Sequence, residues 1–422
     1  MEKFNNKTGF IMASVGSAVG LGNLFRFPYL ALKYGGVFIL AYFLLLLTTG
    51  APLLMSELAL GRLTGKSAVG ALGEASKKGK FTGLLCSANS FFIMTYYCPL
   101  FSFVLVCAVF SFRLWGAQMP ERVFTDIIYS ENLAVPLLFL VFAWASVMLC
   151  LGDAGRLGKI STVGVLFSLF VLVCMAILSA VLQGGAVLSF LIPSASALLI
   201  TEFWPDLLGQ VFFSLSVMVG VMISYGAYLP KKENIFSSAL TVCFADFAVS
   251  LCATVIYAAF SGKVEGGDIL TCFSVYPAAF CAVGGGFGAV ISFLFYLSLA
   301  LLCQASVFSY LKAVCHSITE KIGISETKAA LILTLVSCGL GIFLLGRSGI
   351  SRLIFIDGGI VPLLILIAGL LETIVFSVKR KTLLCEINQH GKRGMSPGFY
   401  SFSVGFLSPA VIFLLIILKI FL

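Results

Sequence analysis

Long apolar stretches alternate with short polar segments along the whole chain. We place eleven such stretches, at about 9–33, 37–61, 82–112, 134–151, 158–182, 205–229, 236–262, 287–317, 328–346, 350–378 and 398–421. Within each stretch the apolar residues are continuous, which favours helices over the alternating strands of an outer-membrane barrel. A helix needs roughly 20 residues to cross a bilayer. The pattern therefore predicts an all-α integral membrane protein with about eleven transmembrane helices.

Two of these stretches, the first and the sixth, are interrupted near the middle by glycines and polar residues. The first reads GSAVGLGN over residues 16–23, and the sixth reads FSLSVMVG over residues 213–220. Interrupted spans at corresponding positions of two five-span halves are typical of inverted-repeat transporters. We therefore expect one transmembrane transporter domain over residues 1–422, with repeat one at about 9–182, repeat two at about 205–378 and an extra helix at about 398–421.

The composition agrees with a membrane protein and explains the charge. Of the 422 residues, 60% are hydrophobic and 11% are charged, and the mean hydropathy is +1.09, whereas an average soluble domain carries about 25% charged residues. With the N-terminus placed in the cytoplasm, about 19 of the 27 Lys and Arg residues lie on the inner side and about seven on the outer side. This positive-inside bias accounts for the net charge of +9 without a nucleic-acid partner. We expect a multi-pass protein of the cell (inner) membrane, with its N-terminus cytoplasmic and its C-terminus extracytoplasmic.

Several polar side chains fall inside the apolar stretches, where they are costly unless they serve a function or find a partner. Asp246 lies midway through the seventh stretch and is a candidate cation ligand, with a structural ion pair or a protonated acid as the alternative. Arg26 and Asp357 lie toward the outer side and either pair across a gate or reach the lipid headgroups. The first-span glycines either expose backbone groups to a ligand or, as Gly16 and Gly20 of a GxxxG pattern, pack helices.

Residues that would support enzymatic chemistry do not form a recognisable arrangement. His316 and His390 fall in or near predicted cytoplasmic loops without a nucleophile beside them. The 13 cysteines show no CxxC pair and no His partner at metal-binding spacing. The glycine run at 284–286 lacks the Lys-Ser/Thr of a phosphate loop. The sequence therefore predicts that the protein is not an enzyme.

The first span carries a long and specific motif. The segment 13–23, followed by Arg26-Phe27-Pro28-Tyr29 and Gly35-Gly36, resembles the first-span signature of the neurotransmitter:sodium symporter family, and the similarity continues along nearly the whole chain to Pro409. This resemblance implies the LeuT-type fold of the bacterial amino-acid transporter branch. It also implies transport by alternating access, with substrate and ions bound between the two interrupted spans.

The resemblance implies a substrate site with a carboxylate end and an amine end. The groups implied at the carboxylate are the Gly20 and Gly22 amides and the Tyr97 hydroxyl. Those implied at the amine are the Ala18 and Phe213 carbonyls and the Ser216 hydroxyl. Further lining residues are expected at Ile93, Ser214, Val219, Gln304 and Phe308. Monoamine-transporting members carry an aspartate where this chain has Gly20, so glycine implies a substrate that brings its own carboxylate, which is an amino acid.

Two sodium sites and a gate follow from the same resemblance. The first sodium site is implied at Ala18, Asn23, Ser214 and Asp246. The second is implied at the carbonyls of Gly16, Val19 and Ala300 and the side chains of Cys303 and Gln304. The outer gate is implied as an Arg26–Asp357 ion pair, with Tyr97 and Phe213 as an aromatic lid.

The sequence departs from the family pattern at both ion sites. Cys303 and Gln304 replace a pair of oxygen-bearing side chains, often Thr-Ser, and a neutral thiol is a poor ligand for a hard cation. We therefore expect one sodium ion per substrate, with two as the alternative. Asp246 stands where many members have asparagine, and its charge replaces the glutamate that some chloride-independent members carry at the position of Ser250. The sequence thus predicts that transport does not require chloride.

Taken together, these features predict a sodium-coupled symporter that imports a neutral amino acid with an apolar or aromatic side chain. Two alternatives stay open on the sequence alone. One is a proton-coupled transporter of the same fold, with Asp246 or Glu57 titrating. The other is a transport-inactive amino-acid sensor, which the short predicted cytoplasmic loops disfavour. The expected partners are the small-molecule substrate and the lipid bilayer, and the chain is expected to be a monomer or a weak dimer.

Overall fold

The computed structural model describes residues 7–130, 132–148, 154–193, 195–260, 272–390 and 394–421. Within these ranges the chain is nearly all helical and contains no strand. The α-helices, labelled in chain order, are α1 Lys7–Ala18, α2 Phe27–Tyr34, α3 Gly36–Leu45, α4 Ala51–Thr64, α5 Ala68–Ala75, α6 Gly79–Phe110, α7 Thr125–Ile128, α8 Ala134–Met148, α9 Ala154–Leu191, α10 Phe203–Ser214, α11 Val221–Tyr228, α12 Ile235–Phe260, α13 Cys272–Val283, α14 Gly285–Ile322, α15 Glu326–Ile342, α16 Gly346–Phe355, α17 Val361–Asn388, α18 Pro397–Phe402 and α19 Ser408–Phe421.

Seven helical stretches of the described chain are long and apolar enough to cross a membrane: Gly36–Thr64, Gly79–Leu114, Thr162–Leu188, Ile235–Phe260, Gly286–Ile322, Gly346–Asn388 and Pro397–Lys419. The pair Thr8–Ala18 and Gly22–Tyr34, bent by 52°, makes an eighth if it is one span. The other three predicted spans correspond to shorter helices, which are α8, α15 and the pair α10 and α11. The all-α membrane fold is therefore confirmed, whereas the number of spans stays a prediction.

The first and sixth spans are both interrupted, as the sequence predicts. Helix α1 ends at Ala18, and α2 carries Pro28 in its first turn. Helix α10 ends at Ser214 and α11 begins at Val221. Between them Ser216 and Met218 have φ of 51° and 66°, which is uncommon for residues other than glycine. This backbone cannot continue a right-handed helix, so groups such as the Met218 N–H and the Val219 carbonyl bind side chains of other helices.

Helix α11 is held against α4 by close approach of the two backbones. A Cβ atom at Gly61 would overlap the carbonyl oxygen of Ile223, and one at Gly226 would overlap that of Leu58. Small residues permit such close helix packing in membrane proteins. The second half of the sixth span is therefore fixed to the second span, and the irregular segment 215–220 lies just before this contact.

Four short π-helical turns interrupt the α-helices of the described chain, at Gly22–Arg26, Leu46–Gly50, Ile356–Ile360 and Ser403–Leu407. A π turn holds one residue more than an α turn and is frequent at functional sites. Both predicted gate residues lie in such turns, because Arg26 ends the first and Asp357 belongs to the third. The other two turns contact each other, because Ser403 Oγ of the fourth turn donates to the Thr48 carbonyl of the second turn at 2.5 Å.

Candidate functional site

The break in the first span exposes backbone groups that are bound by side chains from elsewhere. The backbone N–H of Leu21 donates to the Tyr97 hydroxyl on α6 at 2.6 Å, and that of Gly20 donates to Asn23 Oδ1 at 3.0 Å. The Gly22 carbonyl accepts from Gln210 Nε2 at 3.1 Å. A Cβ atom at Gly20 would lie 2.5 Å from the Tyr97 oxygen. The break therefore leaves no room for a side chain at Gly20 while Tyr97 keeps this position.

A cluster of buried polar side chains lies beside this break and joins four helical segments. Asp246 Oδ1 accepts from Asn23 Nδ2 at 2.6 Å and from the Ser214 hydroxyl at 2.8 Å, and its Oδ2 accepts from the Tyr42 hydroxyl at 2.6 Å. Asn23 Nδ2 also lies 2.9 Å from Ser250 Oγ. All five side chains are buried. The predicted residues Asn23, Ser214 and Asp246 thus come together. Asp246 and Ser214 bring carboxylate and hydroxyl oxygens, the ligand type that hard cations prefer, whereas Asn23 directs its Nδ2 to Asp246 and its Oδ1 to the Gly20 N–H.

The irregular segment of the sixth span is held by hydrogen bonds from three directions. Ser216 Oγ donates to the Ser17 carbonyl near the end of α1 at 3.0 Å. The Val219 carbonyl accepts from Ser90 Oγ on α6 at 2.5 Å. The Met218 N–H donates to Glu57 Oε1 on α4 at 2.6 Å. Ser216 therefore faces the first-span break, as expected for an amine-binding hydroxyl, while the Met218 amide faces the opposite way.

The eighth span, within α14, brings Ser306 to the break, whereas the resemblance implied Cys303 and Gln304. The Gln304 amide nitrogen donates to the Ser146 carbonyl on α8 at 2.9 Å, so it is directed toward the fourth span. Cys303 is buried. Ser306 Oγ donates to the Gly16 carbonyl at 3.2 Å and would lie 3.0 Å from a Cβ at Gly20. Ser306 thus contacts the first-span break directly.

The predicted gate residues Arg26 and Asp357 do not form an ion pair in this structure. The ion pairs of the described chain are Lys33–Asp206, Arg62–Glu386, Lys66–Glu74 and Lys312–Glu326. The Arg26 guanidinium instead lies 6.0 Å from the centre of the Phe213 ring. Asp357 accepts a hydrogen bond from the Tyr96 hydroxyl at 3.0 Å. Arg26 thus covers the predicted lid residue Phe213, whereas Tyr97 is engaged at the break.

Sequence reasoning missed Gln210 and Ser90, which bind the Gly22 and Val219 carbonyls, and three further residues that carry a hydroxyl group. Tyr42 binds Asp246, Ser306 binds the Gly16 carbonyl, and the Tyr310 hydroxyl lies 3.4 Å from Ser216 Oγ with its ring 6.4 Å from that of Tyr97. A hydroxyl side chain in the middle of an apolar stretch is the signal they share. The predicted lining residues Ile93, Val219 and Phe308 are all buried. Apolar side chains are thus available near a site whose ends are polar.

Two interrupted spans that meet at buried carboxylate and hydroxyl oxygens define a membrane transporter with a central binding site. The chain belongs to the sodium:neurotransmitter symporter family, whose model matches residues 1–118 and 122–422. The resemblance of the first-span motif is thereby confirmed. Members of this family are transporters, and so this protein is not an enzyme.

Individual relatives agree with this assignment. An uncharacterized sodium-dependent transporter of Methanocaldococcus jannaschii is 30% identical over 401 residues, covering 89% of this chain and 81% of the relative. The uncharacterized sodium-dependent transporter YhdH of Bacillus subtilis is 33% identical over 359 residues, covering 81% and 76%. The sodium-dependent neutral amino acid transporter B(0)AT2 of Rattus norvegicus is 30% identical over 296 residues, covering 61% of this chain and 40% of that protein.

A solved structure supports the fold. The crystal structure of MhsT in complex with L-phenylalanine aligns with a TM-score of 0.89 over 99% of this chain and 100% of MhsT, at 23% sequence identity. MhsT is a LeuT-fold transporter. The fold of this chain is therefore the LeuT type.

Proposed function

We propose that this protein is a sodium-coupled symporter that imports a neutral amino acid. The observation that carries the proposal is the buried cluster of Asn23, Ser214 and Asp246 directly beside the first-span break. Its oxygens suit a sodium ion, and the Asp246 carboxylate supplies negative charge in a region where an unpaired cation would be costly. The Ala18 carbonyl at the end of α1 completes this first sodium site in our proposal.

The break beside the cluster suits the carboxylate of an amino acid. Backbone N–H groups at a helix start attract anions, and the Leu21 N–H and the Tyr97 hydroxyl already meet there at 2.6 Å. Gly20 leaves no acidic side chain to compete for this place. We propose that the Gly20 and Gly22 amides and Tyr97 hold the substrate carboxylate, which then also contacts the first sodium ion and couples the two bindings.

The proposed substrate is a neutral amino acid with an apolar or aromatic side chain. Its amine would meet the carbonyls of Ala18 and Phe213 and the hydroxyl of Ser216, whose distance of 3.0 Å from the Ser17 carbonyl supports a polar pocket at this end. The side chain would lie among the buried residues Ile93, Val219 and Phe308. B(0)AT2 is named a neutral amino acid transporter and MhsT is bound to L-phenylalanine, which supports this substrate class.

We propose that the second sodium site, if it is used, relies on Ser306 rather than on Gln304. The Ser306 hydroxyl lies 3.2 Å from the Gly16 carbonyl, and a hydroxyl can turn its lone pairs toward a cation. The carbonyls of Val19 and Ala300 remain candidate ligands, while Cys303 offers sulfur, which sodium disfavours. We keep one sodium ion per substrate as the expected ratio, which gives a Hill slope near one. A slope near two that falls to one in Ser306→Ala would show that a second ion binds at Ser306.

The protein would work in the cell (inner) membrane as a monomer or a weak dimer, with its N-terminus in the cytoplasm. The excess of Lys and Arg on the segments predicted to be inside supports this orientation. Inward sodium movement would drive import, and the membrane potential adds about 2.3 kcal/mol per charge per 100 mV.

The experiment that tests the proposal is uptake of a panel of labelled amino acids by proteoliposomes with an inward sodium gradient. Replacing sodium by choline at constant pH should abolish uptake of the true substrate. Asp246→Ala should abolish it as well, whereas Asp126→Ala, which removes an exposed aspartate of α7, should transport normally. Uptake that persists in choline and follows a pH gradient would refute sodium coupling.

A further inference from the structure

Two glutamates meet inside the membrane, on the side of the sixth span that faces away from the proposed substrate site. Glu57 lies on α4 and Glu372 on α17, and their side chains are 0% and 1% exposed. Both lie beside Met218, whose N–H binds Glu57 and whose side chain packs on Gly369, one turn of α17 before Glu372. Neither residue belongs to the substrate or sodium sites described above.

Each carboxyl group has one oxygen bound by another part of the protein and one oxygen left over. Glu57 Oε1 accepts from the Met218 N–H at 2.6 Å, and Glu372 Oε1 accepts from the Cys86 thiol at 3.2 Å. The Oε2 atoms of both glutamates are buried and have no hydrogen-bond partner in the described part of the chain. Each acid thus lacks a hydrogen-bond donor at its Oε2 atom.

The charges around this pair do not permit two carboxylates. None of the ion pairs in the described ranges involves Glu57 or Glu372. The titratable group that faces the pair from the helices packed on α4 and α17 is the Cys86 thiol, which carries no positive charge. Two like charges in contact at membrane depth are strongly unfavourable. A single proton between the acids removes one charge and supplies the missing donor.

We propose that Glu57 and Glu372 form a proton-binding site that holds one proton when the sixth span has the conformation seen here. The pair is connected to the irregular segment of the sixth span through Met218, whose N–H binds Glu57 and whose side chain packs on Gly369. Gly369 precedes Glu372 by three residues and therefore lies on the same face of α17. A change in the segment 215–220 changes the surroundings of both acids at once.

Proton binding and the conformation of the sixth span are linked because each alters the other's free energy. The arrangement seen here is stable only while the shared proton is present, so its stability is present at low pH and lost as the pH rises. Raising the pH should favour conformations in which the Met218 N–H has left Glu57 and water reaches the pair. Sodium-driven uptake should therefore fall at high pH.

Two measurements test the site, and only the second rests on the proposed function. Infrared spectroscopy of the purified protein in lipid vesicles should show a protonated carboxyl band that is absent from Glu372→Gln. Uptake at a fixed sodium gradient should fall about fivefold or more from pH 6 to pH 9, a typical size for coupling between sites. Glu372→Gln keeps the shape of the side chain and offers an N–H to Glu57, so it should transport at both pH values without this fall.

Glu74→Gln is the matched control, because Glu74 is a solvent-facing glutamate paired with Lys66, and it should retain both the band and the fall. The proposal is overturned if the wild-type protein lacks the band, or if Glu372→Gln keeps the same pH profile. If Glu372→Gln does not fold, Glu57→Gln carries the same expectations. An absence of sodium-dependent uptake in the wild type would refute the proposed function, and the infrared band would still decide the proton site.

Discussion

The side chain of Met218 fills the space that a Cβ atom on Gly369 would need. Such an atom would overlap Met218 Sδ and lie 2.7 Å from its Cε. Met218 has φ of 66° and is 1% exposed, so neither its backbone nor its side chain has an easy alternative. The irregular segment of the sixth span is thus held to α17 by the Met218 side chain, which packs directly against the backbone of Gly369.

Gly369→Ala should therefore destabilise the protein by about 1–3 kcal/mol, the usual cost of overpacking a buried site. Met218→Gly in the same chain should recover part of this loss, because glycine removes the clash and accepts positive φ. Thermal unfolding of the two single variants and the double variant gives the coupling energy. Gly339→Ala is the control, since a Cβ there would meet nothing within 4 Å. Equal and additive effects of both substitutions would contradict the interpretation.

Transport should be independent of chloride, because Asp246 already supplies a fixed negative charge beside Asn23 and Ser214. Replacing chloride by gluconate should leave the initial rate of sodium-driven uptake unchanged. In Asp246→Asn the charge is lost, and uptake should become low in gluconate and rise again with chloride. If Asp246→Asn transports normally without chloride, the charge of Asp246 does not have this role.

Tyr97→Phe should weaken substrate binding without abolishing transport. The variant loses the hydroxyl that meets the Leu21 N–H at 2.6 Å, and a hydrogen bond to a charged group contributes about 1.5–3 kcal/mol. The KM for the amino acid should rise about tenfold or more. Tyr400→Phe removes a hydroxyl that bonds Ser56 at 2.7 Å, away from the break, and should leave KM unchanged. A Tyr97→Phe variant with wild-type KM would remove this hydroxyl from the proposed carboxylate end.

Glu320→Ala should loosen the short helix α5. Glu320 Oε2 accepts from the Ser67 N–H at 2.7 Å, at the start of α5, and a carboxylate there satisfies a free donor and the helix dipole. Loss of the cap, worth about 1 kcal/mol, should speed amide hydrogen exchange over residues 68–75 about fivefold. Glu74→Ala, which removes the exposed partner of Lys66, should change this exchange less. Equal rates in both variants would show that Glu320 does not stabilise the helix.

The fold and the first half of the site could be predicted because the sequence marks them with glycine, proline and isolated polar residues. The break near Gly20 follows from residues that are costly in an apolar helix, whereas the convergence of Asn23, Ser214 and Asp246 was implied by the resemblance to the symporter family. The sequence also predicted an Arg26–Asp357 pair. In the structure Arg26 lies over Phe213 and Asp357 bonds Tyr96, and the sequence does not indicate which neighbour each side chain takes.

The eighth span shows why the remaining residues of the site could not be predicted from the sequence. Helix α14 runs without interruption from Gly285 to Ile322, and no glycine or proline near the site marks which turn faces the break. Two residues along a helix change the direction of a side chain by roughly 200°. The register that favoured Gln304 therefore left out Ser306, which bonds the Gly16 carbonyl. Tyr42 was missed for a related reason, because an aromatic residue in an apolar span does not reveal where its hydroxyl points.

At the π-helical turns Gly22–Arg26 and Ile356–Ile360, the number of residues is as important as their identity. Each turn contains one residue beyond what an α-helix would use. Deleting a single residue would let the turn close into a regular α-helix and would remove the widened backbone in which Arg26 and Asp357 lie. Homologous chains should accordingly keep the number of residues constant between Asn23 and Pro28, and between Asp357 and Pro362, even where the residues themselves differ.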